Sequence, residues 1–200
     1  VPFPDVRTAI DFAPRVMREG KVVPSSMEFL DGKSIRLAER FLNCTLPHDD
    51  AGAHLIIQLE GNDPEVLADD VERVGDLCFA GGALEVFVAD NRTTRDKLWK
   101  ARKCLAEAIM AFYPKYSLED LVVPTSEIPN LLAETTRLAA KYGVEEANFG
   151  HVGDGNVHVN ILFPEEREGW HETLDALLDE LYTATADMGG PLSGEHGIGL

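Results

Sequence analysis

Two short stretches carry the residue types that could do chemistry. One is Gly150-His151-Val152-Gly153-Asp154-Gly155-Asn156-Val157-His158-Val159-Asn160, and the other is Ser193-Gly194-Glu195-His196-Gly197-Ile198-Gly199. In the first, Gly153-Asp154-Gly155 is expected to supply the positive φ angles of a tight reversal. Beyond it Val157, Val159, Ile161 and Phe163 alternate onto one face, leaving His158 and Asn160 on the other. A hairpin closed by this turn puts His151 on the partner strand, close enough to His158 to share a ligand. Two imidazoles at cross-strand distance suit a divalent metal such as zinc, manganese or iron. A carboxylate is expected as the third ligand, and Glu195 is available in the second stretch. Spacing alone leaves another reading open, in which both histidines only hydrogen-bond and Glu195-His196 is a solvated turn.

Such a site needs a scaffold, and the hydropathy pattern supplies one. A short strand is expected at the start, then a helix from about Asp5 to Glu19, on which Ile10, Phe12 and Val16 recur near helical spacing. An extended piece covers Val22 to Leu30, a helix Ser34 to Leu42, and a strand His54 to Leu59. Asp63-Pro64 opens the next helix, with Asp63 as cap and proline in the first turn. It stops before Gly81-Gly82, and Leu84-Glu85-Val86-Phe87-Val88 reads as another strand. A helix from about Thr94 to Ala111 follows, capped by Thr93 or Thr94. The second half repeats the logic: a strand at Leu121-Val122-Val123, a helix from about Ser126 to Tyr142, strands near Glu146–His151 and Asn156–Phe163, and a helix from Trp170 to Met188. The class expected is α+β: a ferredoxin-like, largely antiparallel sheet with helices packed on one face, built as two related halves.

Charge narrows the partners. Acidic residues outnumber basic ones 35 to 18, a formal net charge of -17. That field repels phosphate backbones and anionic lipids, which disfavours nucleic acid and direct membrane insertion. An anionic substrate would need a local positive charge, either an arginine or a metal. Cys44, Cys78 and Cys104 form no C-x-x-C pair, so free thiols in a reducing cytoplasm are expected. The start at Val1-Pro2-Phe3-Pro4 and the close on a glycine-rich loop lead to the expectation of truncation at both ends.

The two glycine- and histidine-containing motifs, in this order, resemble the C-terminal domain of FAD-linked oxidases of the vanillyl-alcohol-oxidase type. That group includes glycolate oxidase flavoprotein subunits, D-lactate dehydrogenases and D-2-hydroxyglutarate dehydrogenases. Met27-Glu28-Phe29-Leu30-Asp31, Leu98-Trp99-Lys100-Ala101-Arg102-Lys103 and Asp120-Leu121-Val122-Val123-Pro124 extend the likeness over essentially residues 1–200. The resemblance implies a substrate domain whose FAD-binding domain is absent from these residues. It implies His151, His158 and Glu195 as metal ligands, His196 as general base, and Arg102 as partner of the substrate carboxylate. Asn160, on the strand face of His158, is expected to line the pocket. Where 2-hydroxyglutarate-specific relatives carry a lysine two residues before the Asp120 position, this chain has Leu118. The expected substrate is therefore a small 2-hydroxy monocarboxylic acid such as D-lactate or glycolate.

The partners implied are that acid, the chain's own FAD-binding domain and an electron-transfer subunit. A cytoplasmic location is expected, with membrane association only through partners. Without a dinucleotide fingerprint in the sequence, these residues alone are expected to be colourless and inactive. Two other readings stand beside this one. A metal-dependent hydrolase could use the same three ligands around a water, and a non-catalytic ferredoxin-like module could serve as a subunit contact.

Overall fold

The computed structural model describes every residue except 49, 167, 192 and 198–200. Six strands form one antiparallel sheet: β1 (Pro2–Phe3), β2 (Ser26–Asp31), β3 (Ala53–Gln58), β4 (Lys115–Val122), β5 (Glu145–His151) and β6 (Asn156–Phe163). Their spatial order is β1-β3-β2-β5-β6-β4. Seven helices accompany them: α1 (Val6–Arg18), α2 (Gly32–Leu42), α3 (Pro64–Ala80), α4 (Arg92–Lys103), α5 (Leu105–Phe112), α6 (Ile128–Tyr142) and α7 (Trp170–Asp187). The α+β class and the antiparallel sheet agree with the sequence pattern. The strand order also shows two related halves, since β1-β3-β2 is mirrored by β4-β6-β5 and the halves meet where β2 pairs β5.

The helices divide over both faces of the sheet instead of gathering on one. Met27 and Phe29 of β2 join Val157, Val159 and Ile161 of β6 in a core covered by α1, α3, α6 and α7. Leu30, Ala147, Phe149 and Leu162 point the other way, into a second core with Ile35 and Ala38 of α2 and Leu105 and Ile109 of α5. Central strands with apolar residues in both phases cannot leave either face wet, and burial of both is the physical reason.

Three further elements differ from the sequence pattern. Leu84–Val88 is not a strand: β1 occupies the outer edge of β3, and Leu84 keeps one main-chain bond, from its N–H to the Pro2 carbonyl. The helix expected from Thr94 begins earlier, because the Asn91 side chain accepts from Thr94 N. It also breaks at Cys104, where a charged helix with only Ala101 buried gives way to an apolar one that buries Leu105, Ala108 and Ile109. The strand expected at Leu121–Val123 is the end of a longer one. β4 pairs with β6 from Lys115↔Phe163 to Val122↔Asn156, and its mixed polar content suits an edge.

The β5–β6 turn uses its glycines unequally. Gly155 has φ +82°, and a Cβ there would sit 2.0 Å from the Val123 carbonyl oxygen. Gly153 lies outside the positive-φ set and has open space where a Cβ would go. Gly155→Ala should therefore lower the unfolding free energy by at least about 1–2 kcal/mol, the cost of left-handed backbone alone. Gly153→Ala should stay within about 0.5 kcal/mol of the parent. Urea unfolding of the two variants checks this, and equal losses would contradict it.

Candidate active site

The expected site residues converge on the sheet face that bears α2, α4 and α5, toward the turn end of the β5–β6 hairpin. His151 closes β5, and His158 follows on β6, two pairs along the ladder from the His151↔Asn156 pair. Their ring centroids are 5.5 Å apart and nearly perpendicular. The loop around Ser193 folds back over them. The His196 ring lies 5.7 Å from that of His158, and Glu195 Oε2 lies 3.8 Å from His151 Nε2. Arg102 arrives from α4 with its guanidinium carbon 4.4 Å from the centroid of Phe149, whose ring also packs against His158.

Two carboxylates that the sequence reading assigned no role hold this group together. Glu28 is only 4% exposed and is the direct cross-strand partner of His151. One of its oxygens lies 2.7 Å from His151 Nδ1 and accepts from Ser26 Oγ, while the other accepts from Arg102 Nε at 3.1 Å. Buried charge is tolerated when paired in this way. On the other flank, Asp120 is the cross-strand partner of His158, with 3.6 Å between Asp120 Oδ1 and His158 Nδ1. His151 therefore has a carboxylate hydrogen-bonded at Nδ1, the arrangement that orients a metal-ligating histidine through its second nitrogen, and His158 has one nearby at a longer distance. A signal for Glu28 existed in the sequence: an acid flanked by Met27 and Phe29 in a strand is a buried charge that needs partners.

The electrostatics follow from this packing. Burial, and then the charge of Arg102, pull the His158 pKa down to about 4, so the ring is neutral at neutral pH with a lone pair to offer. Burial also holds Arg102 below the usual guanidinium range, partly offset by Glu28 and Glu195. Asp120 stays below the usual carboxylate range. Burial works against ionisation there, and hydrogen bonds from Asn156 and from the main chain of His196 and Glu195 outweigh it. Asn160 is 1% exposed, and its amide nitrogen donates to the Ala147 and His158 carbonyls, which braces the hairpin.

Among the described residues, two donor sets could take a cation, and they share His158. In each, His151-His158-Glu195 or Asp120-His158-His196, the ligand atoms lie within 4.8 Å of one another. The oxygens of Asp120 already accept from four N–H groups. The carboxylate of Glu195 is 52% exposed and faces His151 Nε2. Two neutral-capable imidazoles and one available carboxylate fit a borderline divalent metal, so the first set suits it better.

Comparison with known proteins places this geometry in a family. Residues 1–200 match the family model described as FAD linked oxidases, C-terminal domain. Glycolate oxidase subunit GlcD of Escherichia coli (strain K12) is 35% identical over 178 residues, which span 89% of this chain and 35% of that protein. D-lactate dehydrogenase of Anaerostipes hadrus is 31% identical over 100% of this chain and 43% of that protein. The chain thus spans well under half the length of these curated relatives. Among solved structures, p-cresol methylhydroxylase with substrate bound superposes with a TM-score of 0.71 at 16% identity, covering 96% of this chain and 43% of that one. That likeness bears on the fold alone. The whole-length family match and the identity to GlcD and D-lactate dehydrogenase show that the chain belongs to the C-terminal domain family of FAD linked oxidases.

Proposed function

We propose that this domain is the substrate side of a flavoenzyme that oxidises a small 2-hydroxy monocarboxylic acid, of the lactate or glycolate class, to the 2-oxo acid. The observation that carries the reading is one sheet face on which Arg102, two imidazoles, Glu195 and His196 come together in a strongly acidic protein. The names of the relatives, glycolate oxidase and D-lactate dehydrogenase, point to the same substrates.

Arg102 is the group for the substrate carboxylate. Its Nε is committed to Glu28 and its guanidinium lies over the Phe149 ring, so the fork is held in place before substrate arrives. His196 is the group for the hydroxyl proton: it is exposed, with its ring beside that of His158. Leu118 lies on the same face of β4 as Asp120, half exposed, and offers no cation for a second carboxylate. That favours a monocarboxylate.

The donor set favours a cation here. Glu28 pairs with Arg102 and Asp120 is satisfied by its N–H donors, while the half-exposed carboxylate of Glu195 faces His151 Nε2. His151, His158 and Glu195 are the residues that would hold a divalent metal. Bound there, it would supply Lewis-acid stabilisation of the hydroxyl as it loses its proton. A flavin held by a separate domain would supply the redox chemistry, as hydride acceptor. The residues described here bind, orient and deprotonate. The flavin-binding surface is assigned to a separate domain, and electrons leave through a partner subunit. No helix among the described residues is long and apolar enough to cross a membrane.

Two variants of the intact flavoenzyme test these roles. His196→Ala should lower kcat by about 10²–10⁴-fold, measured as dye reduction by D-lactate or glycolate, and a loss below about fivefold on that scale would remove His196 from proton transfer. Arg102→Lys replaces a fork with a point charge and should raise KM for the hydroxy acid; an unchanged KM would contradict the carboxylate assignment.

A further inference from the structure

Among the described residues, Asp120 supplies most of the hydrogen bonds that tie Gly194, Glu195 and His196 to the sheet. Asp120 Oδ2 accepts three consecutive main-chain N–H groups, from Gly194 at 3.2 Å, Glu195 at 2.6 Å and His196 at 2.8 Å. The main-chain carbonyl of Asp120 accepts from Gly194 N as well. Oδ1 accepts from Asn156 Nδ2 at 2.6 Å, and His158 Nδ1 stands 3.6 Å away. The groups that face this carboxylate are thus N–H donors. A carboxylate, with two acceptor oxygens and no hydrogen of its own, matches that surround, and an amide does not.

The packing around it has no slack. A Cβ on Gly194 would sit 2.1 Å from Asn156 Nδ2 and 3.0 Å from Asp120 Oδ1, so the loop approaches this closely only through glycine. Asn156 is itself buried, and its Oδ1 has no partner among the described residues, so the bond to Asp120 sets the orientation of its amide.

From this geometry we infer that Asp120 is a positioning residue: it latches the terminal loop over the histidine pair, fixing Glu195 as third donor and His196 as proton acceptor. It does so without itself joining the donor set. The kinetic part rests on the hydroxy-acid reading above, whereas the latch rests on the hydrogen bonds alone.

The experiment is amide hydrogen exchange with steady-state kinetics on the intact flavoenzyme, comparing the parent, Asp120→Asn, Gly194→Ala and the double variant. Asp120→Asn places an NH₂ group among donors, and Gly194→Ala pushes the loop away while leaving the carboxylate intact. Each single variant should raise exchange at residues 194–196 by about tenfold or more and leave the β5–β6 amides and the flavin spectrum unchanged. Each should lower kcat by about 10²-fold, as displaced catalytic groups do. The double variant should be no worse than the more damaged single, because both break one device. Exchange at 194–196 that stays at the parental rate in Asp120→Asn would overturn the latch, as would additive losses in the double variant. Should Asp120→Asn fail to fold, Gly194→Ala decides alone, and parental exchange there is equally fatal. A parent enzyme inert toward 2-hydroxy acids, with the exchange pattern as stated, would sink the oxidation reading and leave the latch standing.

Discussion

A carboxylate cannot sit inside a protein without partners, and Glu28 is almost wholly inside. Its two oxygens must be satisfied, and the groups that do so are His151 from the neighbouring strand and Arg102 from a helix on the same face. Satisfying one buried charge therefore brings together the base of the candidate metal set and the candidate carboxylate-binding arginine. The pairing lies at the seam between the two halves of the sheet, where β2 meets β5 through Glu28↔His151, Phe29↔Gly150 and Leu30↔Phe149. Site and fold share this joint, and a change that loosens one loosens the other.

The site has a near-symmetric logic. The β5–β6 hairpin projects two imidazoles, and the strand on each side of it supplies an acid in register: Glu28 opposite His151, Asp120 opposite His158. Glu28 reaches outward to Arg102, and Asp120 reaches outward to the loop at 194–196. One flank is tied to the residue proposed for substrate binding, the other to the residue proposed for proton transfer. Burial keeps His158 neutral between them, as a ligand requires.

Much of this was legible in the residues themselves. Period-two alternation after Gly155 marked β6 and placed His158 away from the core, and the cap at Asp63 with Pro64 marked the start of α3. The proximity of His151, His158, Glu195 and His196 follows from a hairpin and a returning loop, both of which leave traces in composition. The roles of Glu28 and Asp120 do not. Glu28 is 123 positions from His151 and 74 from Arg102, and Asp120 is 75 from Glu195, so only strand order brings them together. The helices on both faces were readable in principle, since β2 places Met27 and Phe29 in one phase and Leu30 in the other. Leu84–Val88 shows the opposite limit: its alternation suits a strand, but it reaches the sheet only through the bond from Leu84 N to the Pro2 carbonyl of the two-residue β1.

Buried Glu28 turns the His151 ring so that Nδ1 faces its carboxylate and Nε2 faces Glu195, a geometry that places the ring proton on Nδ1. Nitrogen-15 NMR of the imidazole rings at about pH 8, where an ordinary histidine is neutral, reads this without substrate, flavin or turnover. The account predicts a protonated, hydrogen-bonded Nδ1 and an unprotonated Nε2 for His151, with both features lost when Glu28 is replaced by alanine. A His151 ring that carries its proton on Nε2 in the parent protein would contradict it.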